Sequence, residues 1–337
     1  MKSKLIYYLT YAGMWLLASL PFWALYGLSD AMCFILHYVV RYRRRVVRTN
    51  LRRSFPEKDE RELRHIEQRF YHYICDYLVE EVKTMRISFD ELCRRMTYGN
   101  ADLYLEMIDR YGGIIVLMPH YANFEWCIGM GAIMRKGDLP VQIYKPLHNP
   151  YMDELFKHIR SRFGGVNIPK HSTARELIRL RRAGKHMAVG LITDQSPKRS
   201  EAHHWTTFLN QETVFMNGGE RLARMMGFPV FYSELTRTGR GHCRVDFELI
   251  TEHPKDMAEG EITEQFVRRL EQTIRRDPPY WFWSHRRWKR RREETKAHEP
   301  ETAPPRQHVG VAATEGAPTG HSATGRQLSE GKGQKQD

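Results

Sequence analysis

The segment PHYANFE, residues 119–125, contains a histidine and a glutamate at a spacing that suits acid–base chemistry. Residues five positions apart on one continuous helix lie about 140° apart. His120 and Glu125 can therefore meet only if His120 lies on a turn and Glu125 lies in the first turns of a helix, which Asn123 can cap. An imidazole oriented by a carboxylate is a general base that can take the proton of a substrate hydroxyl. A hydrogen-bonded structural histidine at the end of a strand is the alternative interpretation.

Four further polar side chains follow other predicted elements. Arg160 and Arg162 precede a pair of glycines, and their forked guanidinium groups suit a phosphate or an oxyanion. Arginines on a solvated helix face would give the same pattern. Asp194 and Gln195 end an apolar run, at the position where strands of α/β sheets present functional groups. They could orient the headgroup of an acceptor, or Asp194 could cap the next segment.

Several other chemistries lack their sequence signatures. The chain has no G-x-S-x-G motif and no cysteine with a local histidine signature, so we expect no covalent intermediate on the protein. It also lacks H-E-x-x-H, a dinucleotide-binding glycine pattern and a P-loop, and its five cysteines form no C-x-x-C pair. We therefore expect no metal, no bound cofactor and reduced cysteines.

The N-terminal region has the composition of a membrane anchor. Residues 5–29 carry no charge and, as a helix, would be long enough for a hydrocarbon core of roughly 30 Å. Apolar character continues to residue 40, which favours a retained anchor over a cleaved signal peptide. Pro21 is expected to kink this helix. A buried core helix is the alternative.

The charge of the chain indicates an anionic partner. Lys and Arg number 53 against 40 Asp and Glu, which gives a formal net charge of +13. A basic run follows the apolar segment, and next to an anchor it predicts contact with the cytoplasmic surface of an anionic membrane. The run contains Arg41, Arg43, Arg44, Arg45, Arg48, Arg52 and Arg53. The basic, tryptophan-rich segment 281–292 is interpreted in the same way, as a surface for anionic lipid or an acidic protein.

The pattern of apolar residues predicts an α/β fold with a central mixed β-sheet flanked by helices. An amphipathic helix is predicted over residues 57–86. Strands are predicted over 113–119, 141–144, 186–193, 229–235 and 243–249, and helices over 123–134, 150–163, 172–183, 218–226 and 262–276. The predicted organisation is a membrane anchor (1–40), a basic juxtamembrane and helical segment (41–110), the α/β domain (111–292) and a disordered tail (293–337), because the tail has too little apolar surface to fold.

These motifs, taken in order, resemble the bacterial lipid A biosynthesis (lauroyl/myristoyl) acyltransferase family, within the lysophospholipid acyltransferase superfamily that shares an H-x4-D/E motif. The resemblance covers roughly residues 1–292. Besides the N-terminal apolar segment, the matching motifs are Asn50-Leu51, Phe55-Pro56-Glu57, the pair His120/Glu125, YKPLHNP at 144–150, Arg160-x-x-x-Gly164, Thr193-Asp194-Gln195 and WSHRRWK at 283–289.

The resemblance implies an O-acyltransferase attached to the bacterial inner membrane, with its catalytic domain facing the cytoplasm. It would move a fatty acyl chain from acyl carrier protein or coenzyme A to a hydroxyl of a lipid A precursor, in lipopolysaccharide biosynthesis. His120 would be the general base and Glu125 its orienting carboxylate, and Arg160 fits the family's R-x-x-x-G motif better than Arg162. An anionic lipid acceptor and an acidic carrier protein match the positive charge, and no nucleic acid is expected.

Two other functions stay open at this point. One is an acyltransferase for a lysophospholipid, an aminolipid or another glycolipid. The other is a basic, membrane-tethered binding protein, in which the His120/Glu125 pair would be structural.

Overall fold

The computed structural model describes residues 2–199, 202–290 and 292, without the side chains of residues 2–6. The predicted disordered tail, residues 293–337, lies outside the described residues.

The apolar N-terminal region forms two helices instead of the single helix predicted over residues 5–29. Helix α1 spans Lys2–Ser19 and α2 spans Phe22–Phe34, which continues into a π-helical turn at Ile35–Val39. Pro21 causes the break, because its ring clashes with the preceding turn and it has no N–H to donate. By length and composition, Phe22–Val39 is a candidate membrane span, and 22% of it is buried within the protein.

Helix α2 packs along α4, the long helix Glu60–Lys83, which begins with a capping box formed by Asp59 and Glu62. The buried residues of α2 are spaced four apart, at Leu25, Ser29 and Cys33. This spacing places them on one face of the helix, towards α4.

Polar contacts also join these two helices. The hydroxyl of Ser29 donates to Asp76 on α4 at 2.7 Å. Asp76 is buried and also accepts hydrogen bonds from Arg237 and Arg240. We call these four residues the Asp76 cluster. The cluster makes α2 part of the folded core and not a free tether.

Part of the basic run forms ion pairs inside the protein. Helix α3 spans Arg44–Ser54. Its Arg44 and Arg48 both bond to Glu67, a residue of α4 that is 3% exposed. Because a buried carboxylate requires cationic partners, these two arginines serve the fold. The prediction that the whole run faces a membrane is therefore wrong for them.

The described residues contain nine strands, which form two sheets. In chain order they are β1 Met96–Gly99, β2 Gly113–Met118, β3 Leu139–Tyr144, β4 Val166–Pro169, β5 Met187–Ile192, β6 His204–Phe208, β7 Gln211–Phe215, β8 Val230–Gly239 and β9 His242–Thr251. The main sheet has the order β1-β9-β8-β2-β5-β3-β4, and β6 and β7 form a separate hairpin. Strands β8, β2, β5, β3 and β4 run parallel, and β9 is antiparallel to β8. The predicted mixed central sheet is confirmed.

Helices flank this sheet. They are α5 Phe89–Arg95, α6 Ala101–Tyr111, α7 Pro150–Ser161, α8 Thr173–Arg182, α9 Gly218–Met226 and α10 Glu261–Arg276. Helices α6 and α9 pack against β2, whose six residues are all buried. The segment Phe124–Ala132, predicted as an α-helix, forms a 3₁₀-helix. The fully buried strand β2 thus ends directly before the segment that contains His120.

Candidate active site

The register of two neighbouring strands brings His120 and Asp194 together. Strands β2 and β5 are parallel, and Met118 is paired with Ile192 at their ends. His120 and Asp194 each lie two residues beyond this pair, at the carboxyl edge of the sheet where functional groups collect. The imidazole Nδ1 lies 2.5 Å from Asp194 Oδ1, and the backbone N–H of His120 donates to Oδ2 at 3.1 Å.

Asp194 is held as an ionised acceptor. It is 1% exposed, and burial alone would raise its pKa. The charge and hydrogen bonds of His120, together with a 2.8 Å hydrogen bond from the indole N–H of Trp281, outweigh burial and leave the pKa of Asp194 below its usual value. An ionised carboxylate only accepts hydrogen bonds, so Nδ1 of His120 must donate to it. When the imidazole is neutral, its lone pair is therefore on Nε2.

The imidazole stands at the edge of an aromatic wall. Its ring centre lies 4.9 Å from that of Phe124 and 5.7 Å from that of Phe282, and Tyr77 stacks on Phe124 at 5.5 Å. The His120 side chain is 19% exposed. Within the described residues, the structure records no hydrogen-bond partner for Nε2. The free lone pair is thus available to a ligand beside an apolar surface.

Backbone contacts fix the turn that carries His120. Tyr121 forms a β-bridge with Trp281, and the N–H of Ala122 donates to the carbonyl of Tyr280 at 2.9 Å. The hydroxyl of Tyr73 donates to the Ala122 carbonyl at 2.9 Å. Ala122 has φ 47°, a left-handed conformation that costs a non-glycine residue roughly 1–2 kcal/mol. Such strain persists where the surroundings over-determine the backbone, as these contacts do.

Glu125 does not occupy the position predicted for it. The sequence analysis made it the partner of His120, whereas the structure gives that contact to Asp194. Glu125 accepts two hydrogen bonds from Arg160 on α7, from Nε at 3.1 Å and from Nη2 at 2.6 Å. Successive side chains of a 3₁₀-helix diverge by about 120°. Because Phe124 faces the imidazole, its neighbour Glu125 is turned towards α7.

Arg162 lies in a different environment from Arg160. Its guanidinium donates to the carbonyls of Thr84 and Ile87, at 2.9 Å for Ile87. These carbonyls follow the C-terminal end of α4, where cations and hydrogen-bond donors are favoured. Arg162 therefore caps α4, and the structure does not bring it into the Glu125–Arg160 pair. Gln195 follows Asp194 and is half-buried. Phosphate, oxyanion and headgroup contacts by these residues stay predictions.

Comparison with known proteins decides the family. The model of the bacterial lipid A biosynthesis acyltransferases matches residues 1–290. The chain belongs to this family. The lipid A biosynthesis lauroyltransferase of Escherichia coli K12 is 22% identical to it over 293 residues, which cover 85% of this chain and 93% of that protein. The protein is therefore an acyltransferase of lipid A biosynthesis, as the motifs predicted.

Sequence reasoning missed two residues of the acyltransferase site, Trp281 and His285. His285 accepts a hydrogen bond from the backbone N–H of Ser196 at 3.2 Å. Burial lowers the pKa of His285 to about 4, so it is neutral and can accept. Both residues lie in the tryptophan-rich segment that was interpreted as a basic surface. The density of tryptophan in that segment was the available signal of burial.

Arg287, in the same segment, is another correction. It is fully buried, and it donates to the hydroxyl of Thr213 at 2.7 Å and to the carbonyl of Val214 at 2.8 Å. Its guanidinium also lies 4.0 Å from the ring centre of Phe215. Arg287 thus attaches the C-terminal segment to the β6–β7 hairpin, and it is not available to an anionic partner.

No metal centre is evident in the part of the acyltransferase that the structure describes. Those residues contain no group of three or more His, Cys, Asp or Glu side chains placed to hold an ion.

Proposed function

We propose that this acyltransferase moves a fatty acyl chain from the thioester of acyl carrier protein or coenzyme A to a hydroxyl of a lipid A precursor, with His120 as general base. The observation that carries the proposal is the hydrogen bond between His120 Nδ1 and the buried Asp194, which favours the neutral tautomer with its lone pair on Nε2. Asp194 takes the orienting role that the family resemblance suggested for Glu125.

In the proposed reaction, His120 takes a proton from the acceptor hydroxyl and later gives it to the leaving thiolate. Nε2 of His120 removes the proton of the acceptor hydroxyl as its oxygen attacks the thioester carbonyl carbon. The buried Asp194 stabilises the imidazolium that forms. Collapse of the tetrahedral intermediate breaks the carbon–sulfur bond, and the imidazolium returns the proton to the leaving thiolate. A general base in this role contributes typically about 10²–10⁴ in rate.

Arg160 is the best candidate for an anion contact in this reaction. Glu125 binds its Nε and Nη2, and among the described residues Nη1 has no hydrogen-bond partner. A guanidinium held on one side by a carboxylate is pre-oriented for a phosphate or an oxyanion on the other. One well-placed donor to an oxyanion is worth roughly 10²–10³ in rate. Gln195, next to Asp194, is the candidate for contact with the acceptor headgroup.

Attachment to the inner membrane, with the catalytic domain in the cytoplasm, is part of the proposal. Large apolar side chains of the N-terminal helices are exposed, and they include Tyr8, Leu9, Trp15, Leu16, Trp23, Phe34, Ile35 and Val39. Burying one such side chain is worth roughly 1.5–3 kcal/mol. The exposed surface therefore supports insertion of this region into lipid.

The test is His120→Ala in purified enzyme. The donor is acyl carrier protein or coenzyme A that carries a labelled acyl chain, and the acceptor is a lipid A precursor. We expect turnover to fall at least about 100-fold. The matched control is His65→Ala, since His65 lies on the exposed face of α4. Equal rates in the two variants would exclude His120 as the base.

Mass spectrometry of lipids from a deletion strain tests the acceptor separately. Loss of one acyl chain from lipid A supports the proposed acceptor. Unchanged lipid A, with a chain missing from another lipid, would assign a different acceptor and leave the assignment of the base standing.

A further inference from the structure

Glu81 faces the Glu125–Arg160 pair from α4. It lies four residues after Tyr77 and three before Thr84, so the three side chains share one face of the helix. Tyr77 stacks on Phe124, and the hydroxyl of Thr84 accepts a hydrogen bond from the indole N–H of Trp126 at 3.0 Å. Glu81 is therefore directed at the first turn of the 3₁₀-helix, which carries Glu125.

One oxygen of Glu81 is buried and unsatisfied. Within the residues that the structure describes, Oε1 is inaccessible to solvent and has no hydrogen-bond partner. Nε and Nη2 of Arg160 both donate hydrogen bonds to Glu125. Arg160 also interacts electrostatically with Glu81, but within the described residues its hydrogen bonds go to Glu125. A buried carboxylate without a donor is strongly disfavoured as an ion.

The charges around Glu81 act in the same direction. Burial, and then the negative charge of Glu125, hold the pKa of Glu81 well above its usual value, while Arg160 opposes them. Glu80, on the same helix, also acts on Glu81 through its negative charge, and burial raises the pKa of Glu80 to about 7. Tyr77, one turn earlier, is a further titratable neighbour, and burial raises the pKa of its hydroxyl. Burial and an ionised Glu125 therefore both favour the protonated form of Glu81.

We propose that Glu81 is a positioning residue of the acyl-transfer site: in its neutral form it leaves Arg160 bound to Glu125 alone, and when it ionises it competes with Glu125 for the guanidinium. The inference rests on the proposed function, because Arg160 is the candidate contact for a phosphate or the oxyanion. Glu81 acts through Arg160 and need not touch the substrate.

The first test is the pH dependence of kcat/KM in the wild type, Glu81→Gln and Glu80→Gln. We expect wild-type kcat/KM to fall as the pH rises through the pKa of Glu81, by up to about tenfold per pH unit. Glu81→Gln cannot ionise, so it should lack this decline. Glu80→Gln should retain it, which assigns the decline to Glu81. Identical profiles in the wild type and Glu81→Gln would overturn the proposal.

The second test does not depend on acyl transfer. The ¹⁵N resonance of Arg160 Nε, assigned with Arg160→Lys, reports its hydrogen bond to Glu125. We expect it to shift in the wild type over the same pH range in which kcat/KM falls, and to stay constant in Glu81→Gln. If it shifts while His120→Ala keeps full activity, the proposed base is wrong and the role of Glu81 in holding Arg160 stands. If it shifts equally in both proteins, Glu81 does not control Arg160.

Discussion

Asp194→Asn tests the site more sharply than any other single substitution. The carboxylate of Asp194 accepts from His120 Nδ1 at 2.5 Å, from the His120 backbone N–H at 3.1 Å and from the Trp281 indole at 2.8 Å. Asparagine has one acceptor oxygen, and its NH₂ group would face a donor. The imidazole avoids this donor–donor contact by changing tautomer, so that Nδ1 accepts a hydrogen bond and Nε2 carries the hydrogen. That tautomer cannot take a proton from an alcohol.

The expected magnitude follows from the same chemistry in other enzymes. The equivalent change in a serine-protease triad lowers kcat by about 10⁴ with the geometry intact, which corresponds to roughly 5.5 kcal/mol of activation free energy. We expect a loss of about 10³–10⁴ in kcat for Asp194→Asn, measured at saturating acyl thioester and acceptor near neutral pH. Circular dichroism should show an unchanged fold.

Glu125→Gln is the matched control, since it neutralises the carboxylate that the family motif pairs with the histidine. Removing its charge loosens Arg160 and should affect KM as well as kcat. The reasoning fails if Asp194→Asn stays within tenfold of the wild type while Glu125→Gln loses three orders of magnitude in kcat. That outcome would return the orienting role to Glu125.

Two further predictions concern stability. Asp76→Ala should lower the free energy of unfolding in urea by about 3–5 kcal/mol, because it leaves the largely buried Arg237 without its carboxylate; a change below about 1 kcal/mol would contradict this role of the Asp76 cluster. Glu80 has its pKa raised from 4.5 to about 7, with burial as the largest cause. The folded state therefore holds a proton that the unfolded state releases. The wild type should lose about 3 kcal/mol relative to Glu80→Gln as the pH rises from about 4.5 to 7, and no more above that, in urea unfolding at a series of pH values.

The elements of the α/β domain were largely predictable from the periodicity of apolar residues. Helix α9 was predicted at its observed bounds, and β2 and β5 within one residue at each end. The missed strands β1, β4, β6 and β7 have four or five residues each, too few for a periodic pattern to be distinct. Helix α3 was missed because its arginines were interpreted as a membrane surface, although two of them neutralise Glu67.

The pairs of side chains at the candidate site were not predictable from the sequence, although several of their members were named. His120, Glu125, Arg160 and Asp194 were all named from the sequence, and each lies at the site. The sequence analysis paired His120 with Glu125 because they are neighbours in the chain. The observed partner, Asp194, is 74 residues away, and the alignment of β2 with β5 brings the two side chains together.

Because of that alignment, the contact between His120 and Asp194 does not depend on the lengths of the connecting loops. Since ladder hydrogen bonds between β2 and β5 place the histidine and the aspartate, the loops between the two strands are free to grow or shrink without moving either group. One residue inserted inside β5 would instead place Thr193 opposite the imidazole and point every following side chain to the other side of the sheet. We therefore expect changes of loop length beyond Ala122 to preserve the contact between His120 and Asp194, and a one-residue insertion in the six-residue strand β5 to break it.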